Sequence, residues 1–287
     1  MMRARFSRKT RDSLVIHIAA IVVSICCLAP FSYMVLASFT PQRVLITTPL
    51  QWIPSSLDFS RYVAIFQGGA DSVGATFRAA MVNSTVVAIG TVAVSMIVGI
   101  LGAYAFARLR FRFRRAILIL FLATYMLPQI ALLIPLYLIL NSLGLLNTTT
   151  GLIFVDCALV IPFVLWILSN YFMTIPEELE EAARIDGTTR MGALWFVVLP
   201  AARPGIFAAI MFSFLLAWDE FMYALIFTSS DDAKTLPVAI SEFAGRYTTD
   251  FGLVAAGGIL AALPPLIVAI IFQRYVVSGM AAGAVKG

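Results

Sequence analysis

Six uninterrupted apolar runs, at residues 14–37, 81–107, 116–140, 151–173, 205–228 and 252–273, constrain this chain more than any other feature. A bilayer core needs about 20 apolar residues when crossed as a helix, and each run is that long. Inside lipid the backbone must satisfy its own hydrogen bonds, so only helices or a closed barrel can cross. The runs are continuous rather than alternating, which excludes a barrel. Only 12% of residues are charged and mean hydropathy is +0.96, where a soluble domain carries about 25% charge. The expected fold is an all-α integral membrane protein with six transmembrane helices. The first run has a basic head like a signal peptide, but it exceeds the roughly 7–15 apolar residues of such a segment and no small-residue cleavage site follows. It is read as a retained first helix.

Charge orients the spans. With both termini on one side, fifteen Lys and Arg fall on that side and five on the other. Cytoplasmic loops carry the positive excess, so both termini are expected in the cytoplasm. The division is then a tail at 1–13, a six-helix domain at 14–275 with one long polar loop at 174–203, and a tail at 276–287. The pI near 9.3 reports this topology, and no basic face of a soluble domain points to nucleic acid.

Smaller features fit a membrane bundle. Cys26, Cys27 and Cys157 lie in apolar runs and read as small hydrophobes. His17 has no second histidine to form a metal site. Gly90, Gly99, Gly102, Gly257 and Gly258 permit close helix approach. Pro30, Pro128, Pro135, Pro162, Pro264 and Pro265 lie within runs, where each can kink its helix. Between the first two runs, Phe59, Tyr62, Val63 and Phe66 form a one-sided stripe expected at the outer interface, with Trp52 as an aromatic anchor.

The polar loop holds "EELEEAARIDGTTRMGALWFVVLP" at 177–200. Thr174 as N-cap with Glu177 three residues on predicts a helix over 175–186. Glu180 and Arg184 are placed as an i,i+4 pair, and Gly187 as the stop. Thr189 is placed to cap a second helix, whose stripe is Met191, Leu194, Trp195, Val198 and Leu199. Helices this short are marginal alone in water, so both need support. The second can rest on the bundle or the lipid surface. The first offers Leu179, Ala182 and Ala183 beside its acids, which suits docking into a partner's groove. A partnerless interfacial loop is the alternative reading of the pattern.

This loop resembles the EAA loop of ATP-binding-cassette importer permeases. The matching residues are Glu181, Ala182, Ala183, Gly187, Val197 (where Ile is usual), Leu199 and Pro200. "AYAFARLRFRFRR" after the second run, "AWDEF" in the fifth and "AAGAVKG" at the end resemble the carbohydrate, MalG-type subfamily, with Asp219 where Asn is usual. The resemblance implies a type I ABC importer permease fold in a bacterial cytoplasmic membrane. It implies three protein partners: a second, MalF-like permease subunit, an ATPase homodimer and an extracytoplasmic binding protein. In that family the EAA helix couples ATP hydrolysis to the permease, so Glu178, Glu181, Ala182, Ala183, Asp186, Gly187, Leu199 and Pro200 are implied coupling residues. The chain has no G-x-x-x-x-G-K-[ST] loop. ATP and Mg are therefore expected on the ATPase, with no catalysis, metal or cofactor on this chain.

Three ionisable residues lie within the runs: Asp156, Asp219 and Glu220. Acids in a membrane are costly and mark a pathway or a pair. Asp219 and Glu220 sit about 15 residues, roughly 22 Å, into the fifth run. On one helix they point about 100° apart, so one is expected to face a pathway and the other to bond a neighbour. Trp218 could stack on a sugar ring or simply pack. Asp156 is expected to reach interfacial water ahead of any substrate role, and Asn83 is a weaker pathway candidate. Two other classes compete. An ion-coupled secondary transporter could use the same acids, but no paired internal repeat is evident. An intramembrane enzyme lacks H-E-x-x-H and G-x-S-x-G.

Overall fold

The structure is a computed structural model describing residues 3–47, 54, 56–67, 69, 72–243 and 250–284. Trp52 and the last three residues of "AAGAVKG" lie outside them. Every regular element among the described residues is a helix. In order these are α1 (Arg3–Phe39), α2 (Gln42–Leu45), α3 (Ser60–Gln67), α4 (Val73–Arg108), α5 (Arg114–Thr124), α6 (Gln129–Ser142), α7 (Thr149–Met173) and α8 (Glu177–Ile185). Then come α9 (Arg190–Ala193), a π-helical turn (Leu194–Val198), α10 (Leu199–Ala201), α11 (Arg203–Trp218), α12 (Met222–Phe227), α13 (Leu236–Phe243) and α14 (Phe251–Ala284).

Four described helices are long and apolar enough to cross unbroken: Asp12–Phe39, α4, α7 and Phe251–Tyr275. The count reaches six only if two sharply bent pairs are each taken as one span. One pair is α5 and α6, bent by 95°. Pro128 brings this about. It has no N–H to continue the ladder, and it holds extended backbone at φ −64°, ψ 128°. The other pair is Arg190–Ala201 and α11, bent by 81°. The third apolar run is therefore not a single helix, while the 81° bend precedes the fifth run, which is broken further on. The fifth stops at Trp218 and restarts at Met222. Pro162 and the Pro264–Pro265 pair lie inside continuous helices.

The chain divides into two compact units. The first comprises Met1–Gly69 and Ile240–Leu260. Its organiser is Arg61, only 5% exposed. The Arg61 guanidinium pairs with Asp250 at 3.1 Å and donates to the carbonyls of Thr40 at 2.7 Å and Ser38 at 3.3 Å. Asp250 in turn accepts from the N–H groups of Gly252 and Leu253, both at 3.0 Å, and so starts α14. A side chain at Gly252 would collide with the guanidinium. Phe59, Val63 and Phe66 of the expected stripe stay exposed, while Arg61 and Ile65 turn inward. Asp58 accepts from the Ser60 N–H at 2.9 Å, and hydrogen bonding from Ser60 lowers its carboxyl pKa.

The second unit comprises Ala70–Ala239 and Ala261–Gly287. Its centre is α4 against α7, with α11 packed on both. A Cβ on Gly99 would run into Val164 of α7, and one on Gly102 into Leu165. These two glycines set the spacing of the pair, as small residues do where lipid supplies no hydrophobic drive. Val164, Leu168 and Phe172 form the middle of this core and are fully buried.

Candidate functional site

The two breaks in the apolar helices meet at one place. Irregular backbone at membrane depth is tolerated only where protein buries it or where it lines a cavity. A cavity of about 550 Å³ is lined by Thr124, Tyr125, Leu127 and Gln129 from the first break, and by Asp219, Glu220, Phe221 and Met222 from the second. Asp156, Leu159 and Val160 of α7 and Phe212, Leu215 and Leu216 of α11 complete the wall.

All three intramembrane acids thus share one cavity, although on a single helix Asp219 and Glu220 would point about 100° apart. The reason is that α11 ends between them. Asp219 closes α11, its N–H donating to the Leu215 carbonyl at 3.1 Å. Glu220 opens α12, accepting from the N–H groups of Tyr223 at 2.7 Å and Ala224 at 2.9 Å. Its carboxylate replaces the helical partners those amides lack. Asp219 stays exposed towards the cavity.

Asp156 corrects the expectation of an interfacial residue: it is 2% exposed. Neither of its carboxyl oxygens has a hydrogen-bond partner among the described residues. Trp218 packs: its Nε1 donates to the Ala261 carbonyl at 3.1 Å, and its ring stacks on Phe214 with centroids 5.4 Å apart. Asn83 also lies outside the cavity. Its amide donates to the carbonyls of Asp231 at 2.9 Å and Lys234 at 3.0 Å, fastening the segment that leads to α13. The aromatic surfaces that do line the cavity are Tyr125, Phe212 and Phe221. Sequence reasoning passed over them. The break at Pro128 was the available signal for Tyr125, and the acids at 219–220 for Phe221.

The polar loop is built differently at its start than its capping pattern suggests. The Thr174 hydroxyl donates to the Tyr171 carbonyl at 2.7 Å, so it closes α7 instead of opening the next helix. No side chain caps α8, which begins at Glu177. Glu180 does not serve Arg184. It is 7% exposed and faces inward, paired with Arg108 Nε and accepting from the Tyr104 hydroxyl at 3.0 Å. Arg108 also donates to the Ile175 carbonyl at 2.8 Å. The root of the loop is thereby tied to the end of α4. With Glu180 turned in, Glu178, Glu181, Ala182 and Ile185 fall at i, i+3, i+4 and i+7 on the outward face. Ile185 is 86% exposed.

Gly187 ends α8 in a two-bond cap. Its N–H donates to the Arg184 carbonyl at 3.1 Å, and the Thr188 N–H donates to the Ala183 carbonyl at 3.0 Å. This geometry needs a left-handed residue after the cap, and Gly187 has φ +91°. Asp186 is the capping residue. Thr189 then caps α9 as expected, accepting from the Gly192 N–H at 3.1 Å. The stripe that follows is narrower than its spacing implies. Leu194 and Val198 are fully buried, but Met191 and Trp195 are 52% and 57% exposed. The π-helical turn over these residues shifts the register that a regular helix would give. Leu199 is half-buried and Pro200 exposed, just before the bend at Ala202.

Residues 95–282 match the family model of the "Binding-protein-dependent transport system inner membrane component". The chain belongs to this family. The matched region holds the loop, the cavity and both breaks. Among curated relatives, the permease is 36% identical to the trehalose/maltose transport system permease protein MalG of Thermococcus litoralis, over 94% of this chain and 95% of the relative. It is 37% identical to the sulfoquinovosyl glycerol transport system permease protein SmoH of Agrobacterium fabrum, over 94% and 93%. It is also 37% identical to the trehalose transport system permease protein SugB of Mycobacterium tuberculosis, over 82% and 84%. In fold, the permease matches a chain of a crystal structure of a bacterial ABC transporter that imports the acidic polysaccharide alginate. That match has a TM-score of 0.75 at 24% identity and covers 94% of this chain and 98% of the other.

Proposed function

We propose that this permease is one transmembrane subunit of an ATP-driven importer for a carbohydrate or sugar derivative. It works with a second, MalF-like permease, an ATPase homodimer that holds ATP and Mg, and an extracytoplasmic binding protein. Both termini and the loop at 174–203 lie in the cytoplasm of a bacterial inner membrane. The observation that carries this reading is the outward face of α8. Glu178, Glu181, Ala182 and Ile185 stand clear on a helix whose opposite side is locked to the bundle through Glu180 and Arg108. A docked helix transmits motion only if it moves with the body it belongs to, and this pair supplies that link.

The curated relatives named for trehalose, maltose and a sulfosugar support the carbohydrate class. The cavity suits it too. Carboxylates accept from hydroxyls, and Tyr125, Phe212 and Phe221 offer faces to a sugar ring. Alternating access would open this cavity to each side in turn as nucleotide closes the ATPase.

The test is Gly187→Pro in the assembled importer. Proline fixes φ near −65° and has no N–H, so it removes both the +91° turn and the bond to Arg184. The variant is expected to insert normally, with ATPase co-purification or ATP-driven uptake reduced by at least tenfold. Full retention of both would overturn the coupling role. Uptake that persists without the ATPase, driven by a proton gradient, would instead establish an ion-coupled transporter.

A further inference from the structure

The charge of the cavity bears on what can pass. Its wall holds three carboxyl groups, from Asp156, Asp219 and Glu220. None of the residues lining it among those described is Lys, Arg or His. Glu220 is occupied by two backbone N–H groups, and Asp219 is exposed to the cavity. Asp156 is different. It is 98% buried, it lines the cavity, and neither oxygen has a hydrogen-bond partner among the described residues. Leaving such a group unsatisfied is costly, so it adds a demand for hydrogen-bond donors at a wall where Asp219 is the carboxyl group open to the cavity. A hydroxyl or an ammonium group is such a donor. A carboxylate, sulfonate or phosphate is not, and it would meet the exposed carboxyl group of Asp219 with no cationic side chain in the described wall to offset it.

We infer that this cavity selects its cargo by charge: Asp156, Asp219 and Glu220 admit neutral or amine-bearing saccharides and reject anionic ones. The inference rests on the carbohydrate-importer reading and narrows it.

Two measurements on the assembled importer test the inference and the reading separately. The first needs no substrate. Cys26, Cys27 and Cys157 are replaced by serine or alanine, and Leu216→Cys places a single thiol on the cavity wall. Modification rates are then compared for a small cationic and a small anionic thiosulfonate reagent, each relative to its rate with a free thiol in solution. The expected preference for the cation is about tenfold or more, falling to within about threefold in the Asp156→Asn, Asp219→Asn background. Equal rates in the parent, or a preference that both substitutions leave unmoved, would overturn the inference.

The second measurement is ATP-driven uptake of three disaccharides of one backbone, carrying a hydroxymethyl, an amino or a carboxylate group. Rates are corrected for the affinity of the binding protein for each. The carboxylate compound is expected to lag by about tenfold, and the double substitution is expected to narrow that gap. Equal transport of all three would overturn charge selection. If the thiol reagents show the cation preference but no saccharide of any charge is carried, the carbohydrate reading fails while the charge of the cavity stands.

Discussion

At the scale of single residues, the most consequential contact is Arg108 with Glu180. Their side chains are 8% and 9% exposed, and Tyr104 and the Ile175 carbonyl complete the set of partners. Breaking such a pair from one side leaves a buried charge alone. Arg108→Met is therefore expected to destabilise the permease by about 3–5 kcal/mol. Replacing both partners by apolar residues of similar size, Arg108→Met with Glu180→Leu, removes the orphaned charge and is expected to recover most of that loss. Thermal unfolding of the purified complex checks this. The double variant separates two roles: recovered stability with transport still impaired marks the pair as the link between α8 and α4. Glu180 stands next to Glu181 in sequence, but the two face opposite ways. A helix places neighbours about 100° apart, and one side here is bundle while the other is open.

At the scale of elements, helix continuity decides what each apolar run does. The α4–α7 pair is continuous on both sides and closely spaced through Gly99 and Gly102. It behaves as a frame. Gly99→Leu would push the side chain into Val164, which is fully buried, and no rotamer can avoid that wall. Overpacking of this kind costs about 1–3 kcal/mol. The expected outcome is a lower unfolding temperature and weaker assembly. Leucine at exposed Val98, 44% open, is expected to have no such effect. The third and fifth runs behave in the opposite way. Pro128 ends one and the Asp219–Glu220 step ends the other, and both frayed ends turn to the same cavity. Backbone freed from a helix needs partners, so breaks collect where side chains such as Glu220 can supply them.

At the scale of the whole molecule, the described surface is apolar over long stretches of the helices. The apolar window of Asp12–Phe39 has none of its residues buried. In water such a surface would aggregate, and in a bilayer it is solvated or covered by another subunit. The positive excess then sets which way the chain lies. Reporter fusions at both ends should give cytoplasmic signals, active as a cytoplasmic enzyme and inactive as a secreted one. A fusion in the 142–148 segment should give the reverse. A periplasmic signal from either terminus would overturn the orientation and, with it, the cytoplasmic docking of α8.

Residue order alone determined the helical class and the positions of four long apolar helices, because a 20-residue apolar run has few physical outcomes. It also marked the turn at Gly187, where backbone freedom is what matters: a Cβ there would meet no atom within 4 Å, but φ is +91°. The EAA pattern was legible for the same reason, as a local motif with local geometry. Tertiary structure alone decided which way Glu180 faces, whether Thr174 opens or closes a helix, and that Asp156 shares a cavity with two acids more than sixty residues away. The first and last of these depend on partners distant in the chain, and the second on how α7 ends. A pattern of neighbours shows that a buried carboxylate needs something to offset it, and only the packed fold shows whether the protein supplies it, as for Glu220, or leaves it unpaired among the described residues, as for Asp156.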